Sequence, residues 1–122
     1  MPLAKNIMSG GISAGQASAI AGRVISATVT AAGTTQGGAA TLAGDVNLVT
    51  TATTGQGVII YAGPPGDSQI VYNATTTDIR VYPPTGVAIN QLSANAAFTL
   101  APRTAVWVFL LSSTAAVGFM SA

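Results

Sequence analysis

Short apolar runs cut off by turn residues at intervals of about 8–12 positions constrain this chain more than any other feature. Asp45 to Thr51 gives way to Thr51-Ala52-Thr53-Thr54-Gly55-Gln56-Gly57, and Val58 to Ala62 to Gly63-Pro64-Pro65-Gly66-Asp67. Gln69 to Tyr72 is followed by Asn73 to Thr77, and Ile79 to Tyr82 by Pro83-Pro84-Thr85-Gly86. Proline fixes φ and removes a ladder donor, while glycine supplies turn conformations, so each cluster ends the strand before it. Val87 to Asn90 and Ala97 to Leu100 read as further short extended pieces, and Ala116 to Met120 as the return strand of a hairpin through Ser112-Ser113-Thr114. About eight or nine short strands with such punctuation predict an all-β fold, a small β-sandwich or jelly-roll-like barrel.

The longest run of large apolar residues is Thr104-Ala105-Val106-Trp107-Val108-Phe109-Leu110-Leu111, which holds the single tryptophan. It is too short to span a membrane and fits a core strand of about 4–8 residues. Alternation places Val106, Val108 and Leu110 on one face and Trp107, Phe109 and Leu111 on the other. Both faces therefore need cover, and a second subunit over the outer one is the expectation. Trp107, Phe109 and Leu111, with Tyr82, are the candidate subunit-interface residues. Elsewhere, Arg23 to Ala32 alternates so that Ile25, Ala27, Val29 and Ala31 share one face, and Val46 and Leu48 share a face of the next strand.

Only 6% of the 122 residues are charged, against about 25% in an ordinary soluble domain. A surface of hydroxyls, amides and small apolar groups repels copies of itself weakly, which suits a protein packed against neighbours. The net charge of +1 gives no footprint for nucleic acid, and no apolar window reaches the roughly 18 residues of a membrane helix. With no Cys, neither a disulfide framework nor thiolate chemistry is available.

Residues 1–22 differ from the rest. Ser13 with Gln16 forms a capping box, and Gly22 ends a helix of about two turns, below the length that persists alone in water. The segment reads as an extended or short-helical N-terminal arm that orders where it docks, with Lys5, Asn6, Ile7, Ile12, Gln16 and Ile20 as candidate contacts; residues 23–122 read as a single β domain. Ala17-Ser18-Ala19 resembles a signal cleavage site, but no continuous apolar stretch precedes it, so no signal peptide is expected.

Catalysis near neutral pH needs a group that moves a proton or attacks. The chain has no His, Cys or Glu; its carboxylates are Asp45, Asp67 and Asp78 and its cations Lys5, Arg23, Arg80 and Arg103. Asp67 and Asp78 are the one carboxylate pair open to glycosidase-like chemistry. Asp67 in a Pro-Pro-Gly-Asp turn and Asp78 two residues from Arg80 have simpler structural roles. No enzyme activity, no metal and no cofactor are expected. Tyr61, Tyr72, Tyr82, Phe98, Trp107, Phe109 and Phe119 supply either core or, in a carbohydrate-binding β module, a sugar platform.

Ala43-Gly44-Asp45-Val46-Asn47-Leu48-Val49-Thr50-Thr51, Gly66-Asp67-Ser68-Gln69-Ile70-Val71-Tyr72-Asn73, Ile79-Arg80-Val81-Tyr82-Pro83 and Asn95-Ala96-Ala97-Phe98-Thr99-Leu100 together resemble a β domain that recurs in tailed-bacteriophage virion proteins. The segment from Ser9 to Gly22 is similar to the arm of some small versions of it. Chains of this size look like capsid decoration, or cement, proteins, and the domain is also similar to parts of head fibres and tail fibres. The resemblance implies a homo-oligomer, with a trimer the expected state, seated on the outer surface of the capsid and joining major capsid proteins. It carries over no catalytic residue.

Overall fold

In the computed structural model, which describes residues 25–121, the chain is all-β and no helix occurs among the described residues. Ten strands follow one another: β1 (Ile25–Thr30), β2 (Ala40–Thr41), β3 (Val46–Thr51), β4 (Gly57–Ile59), β5 (Ser68–Asn73), β6 (Ile79–Tyr82), β7 (Ala88–Ile89), β8 (Phe98–Leu100), β9 (Ala105–Leu110) and β10 (Ala115–Met120). They form a six-stranded sheet in the order β1-β3-β5-β9-β10-β7 and a four-stranded sheet in the order β2-β4-β6-β8.

The expected sandwich or jelly roll is replaced by a coil. β1, β3 and β5 pair in parallel in the large sheet, and β2, β4 and β6 pair in parallel in the small one. The chain thus alternates between sheets, and each circuit adds one strand to both, as in a β-solenoid. Ile25 pairs with Val46 and Val46 with Ile70, so successive circuits take 21 and 24 residues. Parallel neighbours need a crossover, and here the crossover is a strand of the opposite sheet. The stack ends at the third circuit, where β9 runs antiparallel beside β5 and β8 antiparallel beside β6. The hairpin from β9 to β10 is antiparallel, as the Ser112-Ser113-Thr114 turn predicts.

Between the sheets lies one core. Val49, Val71, Val106 and Val108 from the large sheet meet Val58, Ile79, Val81 and Leu100 from the small one, all essentially excluded from water. Three amide side chains also face inward. Asn47, Gln69 and Asn73 are fully buried, and each is held at a corner where the chain leaves or enters a sheet. Asn47 Nδ2 donates to Gly44 O (2.9 Å) and Ile70 O (3.2 Å); Gln69 Nε2 donates to Tyr61 O (3.0 Å) and its Oε1 accepts from Tyr61 N (3.3 Å). Asn73 Nδ2 donates to Thr77 O (2.8 Å) and Leu100 O (3.0 Å), while its Oδ1 accepts from Thr75 N and Thr75 Oγ1. Backbone groups that a corner would otherwise bury unpaired are satisfied in this way, at no cost in orphaned amides.

Strict alternation fails in β1. Its register with β3 shifts between Ser26 and Val29 and again before Thr30. Such a bulge moves later side chains to the other face, so Ile25 is 65% exposed while Val29 packs against the core. The single apolar face expected for Ile25, Ala27, Val29 and Ala31 is therefore split.

Candidate functional site: the outer face of the large sheet

With Asn47, Gln69 and Asn73 sharing the inward face with Val49 and Val71, the remaining large side chains of β3 and β5 point the other way. Val46 and Leu48 of β3 and Ile70 and Tyr72 of β5 alternate with the buried residues and sit half-buried on the outer face. In β9, Val106, Val108 and Leu110 fill the core, and Trp107 and Phe109 lie outside. β10 adds Val117 and Phe119 to the same side.

Register aligns these residues into a band. Ile25 pairs with Val46, Val46 with Ile70, Ile70 with Trp107, and Trp107 with Phe119, an unbroken apolar row over five strands. At about 4.8 Å per strand the row is about 19 Å long. Beside it Phe109 pairs with Val117, and Leu48 with Tyr72. The rings touch one another: Trp107 and Phe109 have centroids 4.8 Å apart, and Phe109 meets Phe119 edge to face at 6.0 Å. Such contacts hold the rings in place on the sheet without removing them from water. Trp107 remains 42% exposed and Phe119 60%.

No residue of β1, β3, β5, β9 or β10 is charged. Asp45 and Asp67 stand just before β3 and β5, and Arg103 precedes β9, so charge is confined to strand ends. An apolar band of this extent, with no charge along its strands, is characteristic of a surface that another molecule covers.

Two of the four candidate interface residues, Trp107 and Phe109, lie in the band. Leu111 follows the end of β9 in the same alternation and is 58% exposed. Tyr82 does not belong. It is in β6 of the small sheet, 6% exposed, and its hydroxyl donates to Thr34 O at 3.1 Å, so its ring and its hydroxyl are both used within the chain. Ile25, Val46, Ile70 and Phe119 complete the band and are not among the four interface candidates. The arm candidates Lys5, Asn6, Ile7, Ile12, Gln16 and Ile20 lie outside the described residues.

In comparisons with protein-family models, with curated proteins and with solved structures, nothing matches the chain.

Proposed function

We propose that this chain is a structural virion protein that decorates and cements a bacteriophage capsid from its outer surface, acting as a homo-oligomer, a trimer in the simplest arrangement, that binds major capsid proteins. The observation that carries this reading is the uncharged aromatic band from Ile25 to Phe119, which suits permanent burial against further copies of the chain. The resemblance of the turn and core segments to phage virion β domains supplies the setting.

Mechanistically, copies join through the band and present several N-terminal arms at once. Arm contacts that are weak singly gain about 10²–10⁴-fold when linked through one oligomer, provided the geometry lets them engage together. A clamp that bridges capsomers resists their separation under internal pressure. The chain needs no catalytic group for this work.

Exposure of Trp107 also favours a second reading, a carbohydrate-binding module, because sugars stack on aromatic rings. A sugar site also needs converging polar groups. Trp107 is flanked in its row by Ile70 and Phe119, which have no hydrogen-bonding side-chain atom. The assembly reading accounts for the whole band and the glycan reading for one ring.

The test is light scattering on the purified full chain, followed by binding to undecorated shells of the phage that encodes it. A discrete oligomer that saturates shells is expected. Deleting residues 1–22 should leave the oligomer intact and abolish shell binding. Normal binding by the truncated protein would refute the role of the arm, and a monomer indifferent to shells would refute the function.

A further inference from the structure

Arg80 is the one charged residue inside any described strand. It is exposed on β6, an interior strand of the small sheet, so it is not one of the charges that blunt an open sheet edge. Across the ladder it faces Gly57 on β4 and Thr99 on β8. The glycine is needed there: a Cβ at Gly57 would stand 2.6 Å from Arg80 O and 2.9 Å from Tyr82 Cε2. Having no side chain, it makes room for the Tyr82 ring, which packs beside Arg80 on the same face of β6.

Beside Arg80 the loops that follow β3 and β5 stack, and a hollow of about 190 Å³ opens among Thr54, Gly55, Thr77, Asp78, Arg80 and Thr99. Thr54 and Thr77 bring their hydroxyls to 3.4 Å. Asp78 and Arg80 are both exposed on the same side of the strand, yet neither side chain forms a hydrogen bond or ion pair with any described residue. The pairing that their spacing suggests is thus left unmade, and five guanidinium donors and a carboxylate are exposed around a concave floor that mixes threonine hydroxyls with apolar atoms of Ile79 and Gly55.

We propose that this hollow is a second docking surface, which receives an acidic side chain of a partner protein on Arg80, with a neighbouring donor of that partner on Asp78. A guanidinium fork accepts a carboxylate in two parallel hydrogen bonds. Asp78 beside it makes the site neutral overall, which disfavours polyanions such as nucleic acid and selects a partner carrying both an acceptor and a donor. The small sheet's outer face points away from the aromatic band, so one copy uses both surfaces at once. Identifying the partner as the capsid shell rests on the proposed function; the chemistry of the hollow does not.

The deciding experiment is an NMR titration of the full chain at low salt with an acetylated Gly-Glu-Lys-Gly peptide. Saturable shifts are expected at the amides of Thr54, Gly55, Thr77, Asp78 and Thr99 and at Arg80 Nε–H, lost in Arg80→Glu and reduced in Asp78→Asn. Absence of saturable shifts, or their persistence in Arg80→Glu, overturns the inference. Shell binding then identifies the source: if the shell is the partner, Arg80→Glu binds it at least about tenfold more weakly while keeping the wild-type oligomer mass. A peptide response with no binding of wild-type protein to shells would uphold the hollow and remove the virion reading.

Discussion

Replacing Trp107 by lysine tests the aromatic band directly. The indole is 42% exposed, and a tryptophan presents about 250 Å², so about 100 Å² of apolar surface is available to a second copy. At about 25 cal/mol per Å² its burial contributes about 2.5 kcal/mol per contact, which corresponds to about 60-fold in Kd. A buried ammonium would add its own desolvation cost. The fold itself should tolerate the change, because the lysine stem can lie along Phe109, whose ring is 4.8 Å from the indole, and the charge reaches water. The expected loss within the monomer is about 1 kcal/mol, the worth of one aromatic pair. Sedimentation or light scattering over a concentration series should show the variant dissociating at a concentration at least about 60-fold higher than the wild type, with its urea midpoint only modestly lowered. Tyr82→Phe is the control: it removes one hydrogen bond to Thr34 O on the other sheet and should leave assembly untouched. Unchanged association of the lysine variant, or dissociation of the Tyr82→Phe variant in its place, would refute the assignment of the band as the self-association face.

Other expectations concern the coil. Asn73→Ala removes four hydrogen bonds from a fully buried corner and strips partners from Thr75 N and Leu100 O, so urea denaturation should show a loss of about 3–4 kcal/mol; a loss below about 1 kcal/mol would mean that the corner relaxes or admits water. Gly57→Ala drives a methyl against Arg80 O at 2.6 Å, and the strands β4 and β6 must part to admit it. A thermal midpoint lowered by an amount equivalent to about 1–3 kcal/mol is expected, together with changed amide shifts along both strands; an unchanged midpoint would show that the small sheet is looser than its geometry.

Strand positions were legible because proline and glycine punctuate the chain whatever the topology. Ile79–Tyr82 matches β6 to the residue, and β5, β9 and β10 differ from their sequence ranges by a residue at one or both ends. Pairing direction was not legible, since alternation within a strand is the same in parallel and antiparallel ladders. β2, two residues long, carries no period at all. One signal for the coil was present: Ala32-Gly33-Thr34, Ala52-Thr53-Thr54 and Ala74-Thr75-Thr76 mark the exits from β1, β3 and β5 at spacings of 20 and 22 residues. Repeats of that period indicate stacked circuits. The outward placement of Trp107 and Phe109 is legible because their strand is apolar on both faces and alternates. The outward placement of Val46 and Ile70 is not legible because an aliphatic residue in a strand normally faces the core, and Tyr82, an interface candidate by sequence, is covered by the loop that contains Thr34.

The inversion in β3 and β5 bears on function as well as on legibility. A slip of one residue in these strands would turn Val46, Leu48, Ile70 and Tyr72 inward and put Asn47, Gln69 and Asn73 in water along with Val49 and Val71, on balance the arrangement hydrophobic burial would select. The amides block that slip, because each is bonded to a specific corner: Asn47 to Gly44, Gln69 to Tyr61, Asn73 to Thr75 and Thr77. Corner chemistry thus sets the register, and the register leaves an aliphatic and aromatic band outside. Nothing in the corners requires those outward positions to be apolar; threonine, abundant in this chain, would suit a solvated strand face equally well. Apolar side chains there already pack against their cross-strand neighbours, and they would be stabilised further by a cover over the row, which is the premise of the proposed self-association.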